Sequence, residues 1–334
     1  MIKQFLRRKN IQFSLERYGI QALGAMAKGL FASLIVGLIL KVIGQQLGIS
    51  LLVEFSKTAQ DMMGPAIGVA VAYGLEAPPL VIFTSVVTGG AGAQLGGPVG
   101  AFLAAVIGTE FGKAISKETK LDIVLTPAVV IITGLLMAQF VGPVIDQFME
   151  GVGQLIITAT RLQPIPMGII VSAVMGMCLT LPISSAAIGL MLKLSGLAAG
   201  AATVGCSAQM IGFAVMSYRE NKVGGLVSQG LGTSMLQMPN IVQNPYIWVP
   251  PTLTGAILGP AATVIFKMKN KPIGSGMGTA GLVGQFGTVE VMGMEALWSI
   301  LLLHFLAPAV LTWLIAELMR RQGFIQQNDL LLEL

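Results

Sequence analysis

Glu290 sits near the end of the run GSGMGTAGLVGQFGTVEV, Gly274–Val291, with Gln285 and Thr288 on its N-terminal side. Apolar segments flank the run closely. A carboxylate, an amide and a hydroxyl at this spacing, with the backbone of Gly284 among them, can accept and donate hydrogen bonds to a hydroxylated solute. Ionisable groups at membrane depth are expensive and are functional candidates by default. Glu76 precedes Pro78 and Pro79, where a half-helix would end. His304 lies in LLLHFLAP ahead of a break at Pro308. Glu110, one turn before Lys113, reads better as an interfacial ion pair. Each has a plainer reading: Glu290 as a span end reaching water, Glu76 as an exposed turn residue, His304 as a packed side chain.

Polar groups gather at two further places. QMPNIVQNPYIWVPP (Gln237–Pro251) sets Asn240, Gln243 and Asn244 among prolines that forbid a continuous helix. Asn244 joins the candidate ligand contacts, and so does Gln94, within TGGAGAQLGGPVG (Thr88–Gly100). LPISSAAIG places Ser184 and Ser185 just beyond Pro182, a second hydroxyl-lined break.

These groups need elements to hold them, and composition says which kind. Hydrophobic residues make up 54% of the 334 and charged residues 10%, with a mean hydropathy of +0.81. Soluble domains carry about 25% charged residues, so this chain is an all-α, polytopic membrane protein whose partner is the lipid bilayer. The clearest spans are Ala25–Gly44, Asp122–Ile145, Pro245–Met268 and Ala296–Met319. Shorter or interrupted segments raise the expected count to about ten crossings. Residues 1–24 read as a basic amphipathic helix on the inner leaflet, with Phe5, Ile11, Phe13 and Leu15 turned to lipid. Residues 25–320 form the transmembrane domain and 321–334 a cytoplasmic tail.

Five basic clusters set the orientation: Lys3–Arg17, Lys113–Lys120, Arg219/Lys222, Lys267–Lys271 and Arg320/Arg321. Assigning them all to the cytoplasm puts both termini inside. The net charge of +5 then needs no nucleic acid to explain it. Thr84–Gly112 fits only as a re-entrant hairpin or as two short crossings.

Glycine is the punctuation. It costs about 1 kcal/mol in a helix interior, yet six of the fourteen residues from Gly274 to Gly287 are glycine. Helix packing explains isolated glycines. Dense runs fit better as re-entrant or broken segments, because non-helical backbone survives at depth only when buried in protein or lining a cavity. Gly274–Gly287 is expected to line a cavity. A faint internal repeat, AIG at Ala66–Gly68 and Ala187–Gly189 with AQ following each, is also what chance would give.

Other chemistry is missing. Cys178 and Cys206 lie in apolar segments as packing residues. No Walker-type phosphate loop, nucleophile–histidine pair or metal-ligand cluster occurs, so neither cofactor nor metal is expected.

NPYIWVPPTLTGAILGPAATVIFKMKNKPIGSGMGTAGLVGQFGT (Asn244–Thr288) resembles the enzyme IIC membrane components of the phosphotransferase system. More narrowly it resembles the type 2 group that includes the perfringolysin-regulator-type proteins. The likeness runs from about Tyr18 to Arg321, and GMGTAGLVGQFG is its most specific portion. It implies a bacterial inner-membrane sugar or polyol permease, usually a homodimer, served by separate IIA and IIB proteins, since neither is fused here. In sugar permeases of this system a glutamate in a re-entrant hairpin contacts sugar hydroxyls, and Glu290 stands in a comparable setting. GTVEV replaces the GITEP motif of the glucose-type members. Two other classes remain: a membrane sensor that binds a solute without passing it, and an ion-coupled transporter using Glu290 or Glu76.

Overall fold

In the computed structural model, which describes residues 2–332 and side chains from residue 4 on, helices carry the architecture. Among the described residues the one extended contact is an isolated bridge between Gly196 and Asn270. Six helices are long and apolar enough to cross a membrane: Glu16–Leu47, Pro79–Ile115, Asp122–Thr160, Gly196–Met216, Pro245–Ile265 and Met294–Arg321. Met63–Gly74 and Pro164–Thr180 are apolar but shorter. The chain divides into two compact units, Met1–Phe148 and Met149–Leu334.

The first unit contains α1 (Ile2–Arg8), α2 (Glu16–Leu47), α3 (Ser50–Asp61), α4 (Met63–Gly74), α5 (Pro79–Ile115) and the first part of α6 (Asp122–Thr160). It departs from the expected N-terminal helix. α2 starts at Glu16, well before residue 25, and an Asn10 in the left-handed region (φ 55°) separates it from α1. Phe13 and Leu15 are exposed, but Ile11 and Arg17 are buried in protein.

Length alone would pass α5 as one span, but its backbone says otherwise. Gly96 (φ −153°) and Gly97 (φ 57°, ψ −148°) break it, and Pro98 opens a second helical stretch. A Cβ on Gly92 would lie 2.4 Å from the Gly100 carbonyl oxygen, and one on Gly112 3.0 Å from Val81. In a straight helix Gly92 and Gly100 would stand about 12 Å apart. α5 is therefore two antiparallel arms folded at Gly96–Gly97. α4 packs on the first arm through small residues, with Gly64 and Gly68 against Gly89. The foot of the hairpin is tied by charge. Arg17 Nη2 (2.6 Å) and Lys113 Nζ (3.3 Å) both donate to the Leu75 carbonyl at the end of α4, where a helix dipole favours cations. Lys113 also binds Glu110 at 3.0 Å, and both are buried in protein.

In the second unit, α7 (Pro164–Thr180) and the short α8 (Ser185–Met191) precede α9 (Gly196–Met216), the most enclosed helix of the chain. α10 (Tyr218–Val227), α11 (Met238–Gln243) and α12 (Pro245–Ile265) come next, with a π-helical stretch and a 3-10 turn between α10 and α11. α13 (Pro272–Ser275), α14 (Val283–Met292) and α15 (Met294–Arg321) complete the order. α7, α9 and α12 meet glycine to glycine: Gly176 and Gly255 lie against Gly205, and Gly168 against Gly259. Cys178 and Cys206 are free thiols buried there. The faint AIG repeat falls in unlike settings, with Ala66–Gly68 on α4 and Ala187–Gly189 on the seven-residue α8.

Candidate functional site

Gly274–Gly287 is not a continuous helix. α13 is a single turn, Gly278 (φ 51°), Gly281 (φ 51°) and Leu282 (φ 59°) enter the left-handed region, and α14 begins only at Val283. A leucine there costs roughly 1–2 kcal/mol of backbone strain, which the surroundings must impose. They do so by close contact. A Cβ on Gly276 would lie 2.2 Å from the Ser185 carbonyl oxygen, and one on Gly278 2.7 Å from the Cys206 backbone. Residues 274–281 are all buried. Instead of opening onto a cavity as expected, this backbone is wedged between α8 and α9. Glycine is used here because other backbones come too near for any side chain.

The break at LPISS meets the same run. Ser184 caps α8 by accepting from the Ala187 N–H at 3.2 Å, and Ser185 Oγ donates to the Gly276 carbonyl at 2.6 Å. One residue that sequence reading passed over holds the other side. Asn270 is 1% exposed, and its Nδ2 donates to Thr203 Oγ1 (2.8 Å), the Gly284 carbonyl (2.9 Å) and Thr288 Oγ1 (3.2 Å). Its Oδ1 accepts from the Lys271 N–H at 2.8 Å. Cβ atoms on Gly274 and Gly287 would each come within 2.5 Å of that Oδ1, so these glycines make room for a carboxamide. Asn270 is masked in sequence by its lysine neighbours, which mark a solvated loop. The available signal was an amide two residues ahead of Pro272 and a glycine run.

Gln285 and His304 form a second contact. Gln285 Nε2 lies 3.0 Å from His304 Nδ1, and both side chains are buried. His304 belongs to a π-helical stretch of α15, Leu301–Leu306, a distortion that recurs at functional sites. Among the described residues, Gln285 Oε1 and His304 Nε2 have no hydrogen-bond partner. If the amide donates to Nδ1, the ring carries its proton on Nε2. The pair then presents one unpartnered acceptor and one unpartnered donor. Flipping the amide exchanges the two roles and leaves the count the same.

The sequence candidates thus separate. Gly284 and Thr288 come together with Asn270 and Thr203, and Gln285 pairs separately with His304. Glu290, five residues beyond Gln285, is 60% exposed at the end of α14 and paired with Lys271, itself 36% exposed. Such a pair is worth no more than about 1 kcal/mol. Asn244 serves another purpose: its Nδ2 donates to the Phe324 carbonyl (2.9 Å) and Asp329 Oδ2 (2.6 Å). Glu76 and Gln94 belong to the first unit, at opposite ends of the first arm of α5. Glu76 is exposed, with φ 54°, and accepts from Asn10 Nδ2 at 2.7 Å; Gln94 is exposed beside the fold at Gly96.

With this arrangement in place, comparison with known proteins adds one finding. The family model described as Phosphotransferase system, EIIC matches residues 20–332, nearly the whole chain. No curated protein and no solved structure matches it.

Proposed function

Because the chain belongs to the phosphotransferase system EIIC family, the sugar-specific permease component of that system, we propose that it binds a sugar or polyol and carries it across the bacterial inner membrane. Separate IIA and IIB proteins supply the phosphate, and two copies form the working unit. Both termini face the cytoplasm. With both termini on one side the number of passes is even, about ten, and Gly274–Gly287 enters the membrane and returns.

The observation that supports this reading is the Gln285–His304 pair beside the broken segment. An unpartnered donor and an unpartnered acceptor, both buried, suit a hydroxyl group, which accepts and donates at once. Leaving them unmatched costs about 1–3 kcal/mol each, so a polyhydroxylated ligand gains by supplying both. Gly284 and Thr288 shape the floor, and Glu290 receives ligand hydroxyls once its pair with Lys271 opens.

The test is a panel of sugars and polyols titrated calorimetrically against purified protein. A binder is expected, and His304→Phe and Gln285→Leu are expected to weaken it by about tenfold or more, 1.4 kcal/mol being a factor of ten. Glu290→Gln should have a comparable effect. No binder across the panel, or a binder indifferent to both buried substitutions, sinks the proposal. The sensor reading is favoured by one feature, the tight seating of Gly276 and Gly278 against α8 and α9. Uptake by proteoliposomes carrying IIA and IIB separates transport from binding alone. The ion-coupled reading has less behind it, since Glu76 and Glu290 are both exposed.

A further inference from the structure

The segment after α15 runs in no regular secondary structure, yet it is held closely. Asn221 grips it from both sides of its carboxamide: Nδ2 donates to the Leu330 carbonyl at 2.7 Å, and Oδ1 accepts from the Leu332 N–H at 2.8 Å. A side-chain amide used this way imitates the peptide group of a neighbouring strand. Gln237 Nε2 also donates to the Leu330 carbonyl (3.0 Å), Asn240 Nδ2 to the Leu331 carbonyl (2.9 Å), and Asn244 Nδ2 to the Phe324 carbonyl.

Four amides from α10, the 3-10 turn, α11 and the approach to α12 therefore read the segment's main chain. Ile325 and Leu330 anchor it in the cluster of Phe213, Met216, Ile241 and Ile247, and the Phe324 ring packs on Tyr246 with centroids 5.2 Å apart. Between Ile325 and Leu330 it is not close-packed. Gln327, Asn328 and Leu331 line, together with Arg219, Glu220 and Arg320, a half-open pocket of about 440 Å³. Glu220 Oε2 is buried there without a partner, while its Oε1 binds Arg320 at 2.8 Å.

We propose that Asn221, Gln237, Asn240 and Asn244 form a peptide-binding groove, and that Phe324–Leu332 is its resident ligand, a latch that leaves and returns while the helices stay folded. Main-chain recognition by side chains is separable from the helical fold in a way that a helix or sheet ladder is not. Seated, the latch joins α10, α11, α12 and α15. Released, it exposes the four amides and removes one side of the charged pocket. The inference does not depend on which solute the protein carries.

The test uses the chain ended at Gly323 and a labelled synthetic peptide of Phe324–Leu334. The shortened protein should remain helical and monodisperse in detergent and should bind the peptide saturably. Asn221→Ala combined with Asn240→Ala should weaken that binding at least about tenfold, and a peptide carrying Leu330→Asp should not bind. Failure of the peptide to bind a folded, shortened protein overturns the proposal. So does binding that ignores the amide substitutions. Should the shortened chain fail to fold, the latch is an integral part of the unit and the proposal falls with it. Hydrogen exchange on the full chain gives an independent reading. The Leu332 amide should exchange at least about a hundredfold faster than buried amides of α9, and equal protection would overturn the latch.

Discussion

Two glycine runs of nearly the same composition, Thr88–Gly100 and Gly274–Gly287, fold in unlike ways. The first is a turn between two regular helices. Its apex glycine, Gly97, has nothing within 4 Å of where a Cβ would sit, and its glycines lower down serve arm-to-arm contact. The second is not a turn between helices at all. Its glycines lie against the backbones of Ser185 and Cys206 and around the Asn270 amide, and the segment is buried throughout Gly274–Gly281. Glycine at an apex is there for its φ angle. Glycine in the second run is there for its missing side chain at Gly274, Gly276 and Gly287, and for both reasons at Gly278. The amide beside the first apex, Gln94, is exposed; those beside the second, Asn270 and Gln285, are buried. Burial, more than glycine content, separates a bend from a candidate site.

That contrast predicts an order of effects. Gly276→Ala should be the most damaging, because its Cβ would meet backbone atoms of Ser185 that cannot rotate away. A loss of about 3 kcal/mol or more is expected, read as a lowered melting temperature or as aggregation in detergent. Wild-type behaviour would mean the second run is looser than its contacts imply. Asn270→Ala should rank second at about 1–3 kcal/mol, since it strips a buried donor from Thr203, Gly284 and Thr288. If Asn270→Asp, which keeps the shape and loses the donor, restored stability, the hydrogen bonds would not be the cause.

Gly97→Ala should cost less, about 1–3 kcal/mol, because only backbone strain at φ 57°, ψ −148° opposes it. A loss as large as that of Gly276→Ala would erase the distinction between the runs. The smallest effect concerns the surface of the first unit. Glu118 lies against Lys9 and Arg8, and the hydrogen bond from Lys9 holds its carboxyl below the usual range. A carboxylate depressed in the folded state contributes above its unfolded value, about pH 4.3, and that contribution fades as pH falls through the lower folded value. A spin label at Gln4 should therefore become more mobile on acidification below about pH 4, and already at neutral pH in Glu118→Gln. Unchanged mobility in both would remove Glu118 from the docking of α1.

Composition and hydropathy alone determine that this is a helical membrane chain, because a surface with so few charges cannot face water. Proline and glycine mark most of the breaks, at Pro78–Pro79, Gly96–Gly97, Pro182 and Gly274–Gly287, since each denies helix geometry locally. The sequence resembles the EIIC family, and the family match over residues 20–332 bears that out. What the sequence does not contain is depth. Glu290 and Gln285 stand five residues apart on one helix, yet one is exposed and the other is buried against His304. Asn270 reads as a solvated loop residue between lysines until the bridge to Gly196 draws it inward. Asn244 reads as a ligand amide until Phe324–Leu332 returns to occupy it. These outcomes depend on residues tens of positions away, and only the tertiary structure brings those residues within hydrogen-bonding distance.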